Sequence, residues 1–427
     1  VSLDATDNQP RAFWSYVVEA LRSAMPMPPG SPLAGLEPGL GNDQERLRRV
    51  VAGLEQLPGP VVLVLDDFHL VDDATVLADI AILLRTPAPQ LRLVLLTRSD
   101  PVLPLHRLRV AGGLTEIRSR DLALGRPEAT KLLANDGVEL QAGDVEVLLG
   151  RTEGWAAGLR LAALFLARDE PGHHVADFGG DDQAVVEYLA EEVLAAHPPE
   201  VRRFLLLTSV AERLCASLAE ELTGQVGGQR VLESLAAENT FVVGLGPGRK
   251  WYRYHTLLRQ TLRHRLAVEA PNEVAGLHVR AALWLAENGQ PLAGLRHAAQ
   301  AQDWQLMGRL LVTRALPLSL SAERSALALA LSRIPPDQLA TTPELAVAAA
   351  TRTFLDNRLA EIEPHLALAR ELTPSTDPVV SAGSQVGQLL LATAVARTHG
   401  DSKQLVEVTA RALQVLEATG ATLPAAR

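Results

Sequence analysis

Five consecutive apolar residues, Val61–Leu65, form a distinctive hydrophobic run in the first part of the chain, and two carboxylates, Asp66 and Asp67, follow it directly. Three of the five are valines, whose β-branched side chains favour a strand. Because no polar residue interrupts the run, we predict a strand buried on both faces, as in parallel sheets flanked by helices.

A second apolar run, Leu91–Thr97, follows after one helix-length segment and ends in Arg98. This spacing is typical of a right-handed β-α-β crossover, in which the two strands are parallel neighbours. Val1–Asp4 has the pattern of a strand end, and Leu114–Arg118 predicts one more strand. We therefore expect residues 1–120 to hold four strands of a parallel sheet.

Helical patterns dominate the rest of the chain. Residues 121–180 predict a helical domain that ends in a Gly-containing linker. In residues 181–270, four short helices precede a hairpin at Phe241–Tyr254, and this order predicts a winged-helix domain. Residues 271–427 are Ala- and Leu-rich helices broken at intervals by Gly, Pro or Asp, which predicts an α-solenoid of the tetratricopeptide type. The predicted fold class is thus a multidomain chain, α/β first and all-α afterwards.

The composition and net charge of the chain argue against several classes of protein. Apolar residues make up 47% of the chain and aromatic residues only 4%, so Ala, Leu and Val carry the hydrophobic content, as in largely helical proteins. Cys215 is the only cysteine, which excludes a disulfide framework and fits a cytoplasmic location. The net charge of −10 argues against the whole chain lying on DNA or on an anionic membrane. No apolar run approaches the length of a membrane span, so we expect no membrane contact.

The carboxylates after the first strand are the strongest candidates for chemistry. Ligands of open α/β sheets bind at the carboxyl ends of the strands. Since Mg²⁺ takes oxygen ligands and keeps several waters, one of the carboxylates Asp66 and Asp67 could hold the ion while the other orients a water, as in a Walker B motif. A core strand that ends in an Asp-rich turn fits the same residues. Arg98 could contact a γ-phosphate or simply pair with Asp100.

The phosphate-binding loop G-x-x-x-x-G-K-[ST] does not occur in the 427 residues. The chain has three lysines, Lys131, Lys250 and Lys403, and none of them follows a glycine. The Gly-rich segment Gly244–Trp251 has the wrong spacing and no hydroxyl residue at its end. We interpret it as the turn of the predicted hairpin.

Two surfaces allow more than one interpretation. The solenoid could offer a concave surface to a ligand or peptide, or it could pack against the α/β part. A basic cluster near the hairpin could be a solvated face, a nucleic-acid surface or a surface turned toward a bound nucleotide. The cluster consists of Arg249, Lys250, Arg253, Arg259, Arg263, His264 and Arg265.

Five segments, in this order, resemble the large ATP-binding regulators of the LuxR family, the MalT-like members of the STAND NTPases. They are Val1–Asp4 with Phe13-Trp14, Val62–His69, Thr97–Pro101 with Leu105–Arg109, Thr152–Leu159, and Trp251–Arg259. The resemblance makes residues 1–120 a partial P-loop NTPase core. It implies a switch between an ADP-bound closed monomer and an open oligomer formed with ATP and an inducer on the solenoid, which then activates transcription.

The resemblance also assigns roles to single residues. Asp66 and Asp67 match the Walker B acids, and Asp66 is the expected Mg²⁺ ligand. Arg98 matches the sensor arginine that contacts the nucleotide.

Three further nucleotide-binding residues follow from the same resemblance. Gly154 and Trp155 lie in a segment that covers the adenine, although Ala156 stands where some members have proline. By looser analogy, His255 faces the β-phosphate.

Two family parts, the Walker A strand with its loop and the C-terminal helix-turn-helix, do not occur in this sequence. We therefore expect an internal piece of such a regulator that contacts DNA only through a domain outside these residues. A pseudo-ATPase scaffold for protein interactions is the rival hypothesis. DNA binding by the winged helix itself is a third.

Overall fold

The computed structural model describes residues 1–24, 30–34, 43–57, 59–86, 90–167, 174–238, 241–246, 248, 250–399 and 402–419. The predicted linker at 169–182 lies partly outside these residues, and Arg249 of the basic cluster lies outside them altogether. The chain divides into two compact units. The first comprises Val1–Glu128, Gly154–Ala156 and Glu233–Val243, and the second comprises the remainder.

The first unit is built on a β-α-β crossover. Its elements are α1 (Pro10–Ala24), α2 (Asp43–Glu55), β1 (Val61–Leu65), α3 (Ala74–Leu83), β2 (Leu91–Leu95), α4 (Leu105–Val110) and α5 (Ser119–Leu122). The two strands pair in parallel, with Val61 opposite Leu91 and Leu65 opposite Leu95, which confirms the predicted crossover. Ser2 forms a parallel bridge with Asp66, so the strand end predicted at Val1–Asp4 is present only as a single isolated bridge.

Helices cover one face of this sheet in the described part of the unit. Leu63 and Leu65 are buried in a core with apolar side chains of α1, α2 and α3, among them Phe13. The alternate residues of β1 point away from that core, so that Val62 is 58% exposed and Val64 is 38% exposed. The prediction of a strand buried on both faces is therefore wrong here, because all three helices pack on the same side.

The predicted strand at Leu114–Arg118 is also wrong, since this segment has no strand structure and Ile117 is 67% exposed. The segment takes part in an ionic cluster instead. Glu116 accepts hydrogen bonds from Arg109 at 2.9 and 2.7 Å and from Arg118 at 2.7 Å. The two arginines lower the pKa of Glu116 to about 2. Among the described residues the sheet thus has two strands and one bridge, rather than four strands.

Helices and a hairpin follow in the chain, and most of their residues belong to the second unit. The elements along this part of the chain are α6 (Arg126–Asn135), α7 (Ala142–Thr152), α8 (Ala156–Leu166), α9 (Gln183–Leu189), α10 (Pro199–Thr208), α11 (Ala216–Thr223), α12 (Gly228–Ala237), β3 (Val242–Leu245), β4 (Trp251–Tyr254) and α13 (Thr256–Glu269). β3 pairs with β4, and Tyr252 exchanges backbone hydrogen bonds of 2.7 and 2.8 Å with Leu214. The predicted order of four helices and a hairpin is confirmed.

A helical array completes the second unit. Its helices are α14 (Pro271–Glu287), α15 (Pro291–Gln300), α16 (Trp304–Leu310), α17 (Arg324–Leu331), α18 (Pro343–Leu355), α19 (Ile362–Glu371), α20 (Pro378–His399) and α21 (Ser402–Thr419). Consecutive helices pack in pairs, α14 with α15, α18 with α19 and α20 with α21. This pairing follows from their short connections, which place neighbours in the sequence side by side.

One helix of the array, α20, has the length and apolar composition of a membrane span. Within the described residues, Pro378–Arg397 of α20 is long and apolar enough to cross a membrane by length and composition, with a mean hydropathy of 1.4. However, 56% of that window is buried within the protein, as in the core helix of a helical domain. The expectation that no apolar run reaches this length is thus wrong for α20.

Candidate functional site

Asp66 and Asp67 lie where the sheet ends. The pairing of β1 with β2 continues past the strands, because Leu96 N–H donates to the Leu65 carbonyl at 2.9 Å and Phe68 N–H donates to the Leu96 carbonyl at 3.0 Å. Asp67 has a left-handed backbone, with φ of 55°, and its N–H donates to the Asp66 carboxylate at 2.9 Å. Both aspartates are half-buried. This sharp turn holds two carboxylates at the carboxyl edge of the sheet, as predicted.

The residues after β2 reach the same edge of the sheet. The Thr97 hydroxyl donates to the Ser99 carbonyl at 2.7 Å, which tightens the turn, and Arg98 is exposed. Asp100, the alternative partner considered for Arg98, forms an ion pair with Arg118. The predicted grouping of the aspartates with the end of β2 is confirmed at the level of the backbone.

Gly154 and Trp155 belong to the first unit as well. Gly154 has φ of +75°, and its carbonyl accepts a hydrogen bond from Leu124 N–H at 2.8 Å. A Cβ atom at this position would lie 2.7 Å from the Leu124 carbonyl oxygen, so only glycine fits. The Trp155 ring packs edge-to-face on Phe241, with centroids 5.0 Å apart. The segment thus has a close backbone contact, and its aromatic side chain already has an aromatic partner.

Glu153, which belongs to the second unit, binds three groups that are about a hundred residues away in the chain. Its carboxylate accepts two hydrogen bonds of 2.7 Å from the Arg253 guanidinium. It also accepts from the N–H and the hydroxyl of Thr256, at 3.0 and 2.9 Å. Burial raises the pKa of Glu153, but Arg253 and the other donors more than offset this effect and lower it to about 2. The carboxylate is therefore charged and links the end of α7 to the start of α13.

His255 lies beside this pair and is buried. Its Nδ1 accepts a hydrogen bond from Leu257 N–H at 3.3 Å, which caps α13, and its Nε2 lies 2.9 Å from the Thr152 carbonyl. The first contact requires an unprotonated Nδ1, so Nε2 is the donor to Thr152. Burial lowers the pKa of His255, which keeps the ring neutral. A phosphate contact by His255 would have to replace one of these two hydrogen bonds.

Comparison with known proteins shows which families and proteins this chain is similar to. A family model described as the MalT winged helix domain matches residues 190–274. The transcriptional regulator MalT of Serratia proteamaculans, described as HTH-type, is 30% identical over 380 residues, which are 87% of this chain and 42% of that protein. The serine/threonine-protein kinase PknK of Mycobacterium tuberculosis is 34% identical over 308 residues, which are 71% of this chain and 28% of the kinase.

This chain is MalT-like. It spans less than half the length of these curated relatives. A solved structure from Pyrococcus horikoshii, of a signal transduction ATPase with numerous domains that carries a tetratricopeptide repeat sensor, covers 96% of the chain at 14% identity and a TM-score of 0.40.

The carboxyl edge of the sheet in the MalT-like chain fits Mg²⁺ in the way a nucleotide site would hold it. Two carboxylates stand there, and Mg²⁺ is usually bound by one or two carboxylates together with water and substrate phosphates. The described residues contain no group of three or more His, Cys, Asp or Glu side chains that could form a cage around a metal. Asp66 is the residue that would hold the ion, and Asp67 the one that would orient a water.

Sequence reasoning missed most of the contacts that organise the second unit. The sequence patterns assign no role of its own to Glu153 and place Arg253 only in a basic cluster. Their separation of 100 residues leaves no local signal in a single sequence.

Proposed function

We propose that the chain is the nucleotide-responsive switch of a signal-dependent transcription regulator, with ATP or ADP and Mg²⁺ at the carboxyl edge of the sheet. The observation that carries this proposal is the turn at Asp66 and Asp67, which holds two carboxylates directly at the end of the parallel strand β1. In the proposal Asp66 binds Mg²⁺, Asp67 orients the attacking water and Arg98 contacts the γ-phosphate.

The remaining sites have supporting roles in the same proposal. Gly154 and Trp155 cover the adenine, and His255 reports on the β-phosphate by exchanging one of its present hydrogen bonds. The helical array, which we take to be of the tetratricopeptide type, binds an inducer, and the ATP-bound form assembles with further copies in the cytoplasm.

In this proposal the chain works within a longer protein. The phosphate-binding loop and the DNA-binding domain come from parts outside the 427 residues. DNA contact therefore does not involve the winged helix.

The two kinds of relative support a regulatory role for this chain, whichever activity the longer protein controls. Similar segments occur in a protein named as a transcriptional regulator and in one named as a serine/threonine-protein kinase. A segment shared by proteins with such different outputs is best explained as a regulatory part. The proposal takes transcription as the output because the regulator shares the larger part of this chain.

The proposed nucleotide site can be tested by measuring ATP hydrolysis. The protein to use is a longer one that contains this chain and a phosphate-binding loop. We expect Asp66→Ala and Asp67→Ala to abolish ATP turnover while ATP affinity changes by less than about tenfold, since the loop supplies most ground-state contacts. The exposed Glu55 of the same unit is a matched control, and Glu55→Ala is expected to leave turnover unchanged. We expect Arg98→Ala to reduce the preference for ATP over ADP.

The 427 residues alone should bind nucleotide weakly, because they contain no phosphate-binding loop. Calorimetric titration with ATP and with ADP in Mg²⁺ measures this. A dissociation constant in the low micromolar range would show that other residues form the phosphate site.

A second candidate function is a pseudo-ATPase scaffold that binds proteins without hydrolysis. The match to the kinase PknK favours it, because a regulatory segment of a kinase needs no turnover of its own. Absence of ATP turnover in the longer protein with both aspartates intact would support this alternative over the switch.

A further inference from the structure

A cavity of about 570 Å³ opens in the helical array, and we call it the array cavity. Four parts of the second unit line it: α18, α20, the irregular segment between α16 and α17, and Leu359 in the turn before α19. This size falls within the range of small-molecule sites.

The backbone around the array cavity is irregular in a way that is common at ligand sites. After α16 the chain forms a π-helical turn, Leu311–Ala315, and then a 3₁₀ turn, Leu316–Leu320. Such π turns are rare and occur frequently at functional sites.

Close packing beside the array cavity indicates that it is not a general packing defect. A Cβ atom at Gly383 would lie 2.7 Å from the Val312 carbonyl oxygen, and one at Gly387 would lie 2.9 Å from Val347. The helices therefore meet tightly next to an open space.

The wall of the array cavity is apolar. The side chains that line it include Val312, Leu316, Phe354, Leu359, Val386 and Leu391. Its three hydroxyl groups already donate to carbonyls of their own turns: Ser319 to Leu316 at 2.6 Å, Thr351 to Val347 at 2.8 Å and Thr393 to Leu389 at 2.8 Å. A carbohydrate would leave most of its hydroxyls without partners in such a wall, at a cost in free energy for each.

One charge stands among the residues that line the array cavity. Arg397 is exposed, and no carboxylate of the described residues forms an ion pair with it. Leu320 and Leu390, which also line the cavity, are 79% and 48% exposed, so apolar surface extends to its mouth. The combination of an apolar interior with one cation at the rim complements a molecule that has an apolar body and a single negative charge.

We propose that the array cavity binds a small carboxylic acid with an apolar body, whose carboxylate pairs with the Arg397 guanidinium. This acid would be the inducer of the proposed switch, so its regulatory role rests on the proposed function. The binding itself can be measured without nucleotide or DNA, so its failure and a failure of the nucleotide site are distinguishable.

Calorimetric titration of the 427-residue chain with decanoate, below its micelle concentration, tests the site. Decanol serves as the neutral probe of equal length. We expect saturable one-to-one binding of decanoate, and Arg397→Gln should weaken it about tenfold, in line with the loss of one charged hydrogen bond. Arg333→Gln removes an exposed arginine that does not line the cavity, and this control should leave the affinity unchanged.

A second variant fills the space. Ala394→Phe places a ring in the array cavity and should abolish binding of both probes, with a thermal unfolding midpoint near that of the parent chain. Equal affinities for decanoate and decanol, or no effect of Arg397→Gln, would overturn the assignment of a carboxylic acid. Absence of saturable binding, or full binding in a folded Ala394→Phe variant, would overturn the site.

Discussion

At the scale of single residues, two neighbouring positions have left-handed backbones for different reasons. Gly154, with φ of +75°, has no room for a side chain. Glu153, with φ of 51°, does have a side chain, and its carboxylate makes four hydrogen bonds that offset the strain of this conformation. The pair therefore forms a sharp, fixed exit from α7.

We expect Gly154→Ala to destabilise the fold by about 1–3 kcal/mol, because a Cβ atom would clash with the Leu124 backbone in addition to the strain of the positive φ. Gly150→Ala is the matched control. Gly150 lies within α7, and a Cβ atom added there would meet no other atom within 4 Å, so this change should be neutral or slightly stabilising. Urea unfolding of the two variants measures both effects, and equal midpoints would contradict the expectation.

A buried histidine pair is the second feature at this scale. The Nδ1 atoms of His278 on α14 and His297 on α15 lie 2.9 Å apart, so one of them donates and the other accepts. Burial and the nearby Arg263 lower the pKa of His278 to about 4. Burial, His278, Arg263 and Arg259 lower the pKa of His297 to about 3. The folded array thus holds both rings neutral.

This pair predicts a loss of stability in acid. Below pH 6.5 these two histidines bind protons in the unfolded chain but stay unprotonated in the folded pair. The free energy of unfolding therefore falls as the pH drops from about 6.5 toward 4. The decline should reach at most about 1.4 kcal/mol per pH unit for each histidine. Unfolding free energies of the parent and of a His278→Leu/His297→Leu double variant measure it, and the double variant should show a flatter profile. The exposed His264 provides the control, since His264→Gln should retain the parent profile.

At the scale of secondary structure elements, one ion pair joins α7 to the hairpin and to α13. Arg253 on β4 donates to the Glu153 carboxylate from both terminal guanidinium nitrogens at 2.7 Å, and the pair is only partly exposed. In a double-mutant cycle, Glu153→Gln and Arg253→Gln should show a coupling of about 1–2 kcal/mol, after allowance for solvent screening. The pair Arg265 and Glu269, one turn apart on α13, should show less than about 0.5 kcal/mol.

The same ion pair has its own pH dependence. Because the folded pKa of Glu153 is lowered to about 2 from an ordinary value of 4.5, the stability it supplies is complete above pH 4.5 and is lost as the pH falls toward 2. A Glu153→Gln chain that loses stability in this range as steeply as the parent would show that other carboxylates dominate.

The open face of the sheet is the second feature of the elements. Val62 and Val94 are 58% and 38% exposed on neighbouring strands, which favours association between copies of the chain. We expect Val62→Thr/Val94→Thr to raise the solubility of the chain with little change in its unfolding midpoint, since threonine keeps the β-branched shape. By contrast, Leu63→Ala on the covered face should cost about 2–5 kcal/mol. A loss of stability in the threonine variant that matches Leu63→Ala would show that the face is covered.

At the scale of the whole molecule, charge decides between the interpretations of the basic cluster. The chain carries a net charge of −10. Within the cluster, Arg253 is neutralised by Glu153, and Arg265 pairs with Glu269. These two ion pairs reduce the positive charge that the described part of the cluster offers to phosphates.

We accordingly expect the 427-residue chain not to bind a random DNA duplex at micromolar concentration. Fluorescence anisotropy at 50 and 200 mM salt measures this. Binding that falls steeply between the two conditions would indicate several phosphate contacts and would favour DNA recognition by the winged helix.

Local patterns in the sequence determined which elements form. The apolar runs at Val61–Leu65 and Leu91–Thr97 predicted the parallel pair, and helical periodicity predicted nearly all the longer helices, because these signals depend on residues within a few positions of each other. The position of the two carboxylates at the end of β1 was predictable for the same reason, because it depends only on the strand and the residues that directly follow it.

Tertiary structure decided which surfaces meet. The open face of the sheet and the absence of a strand at Leu114–Arg118 depend on which neighbours pack there, and a period of two or a run of apolar residues cannot specify them. The contact of Glu153 with Arg253 and the array cavity likewise join residues far apart in the chain. Such contacts exist only after distant segments have packed, so the chemistry they create is a property of the fold rather than of any stretch of sequence.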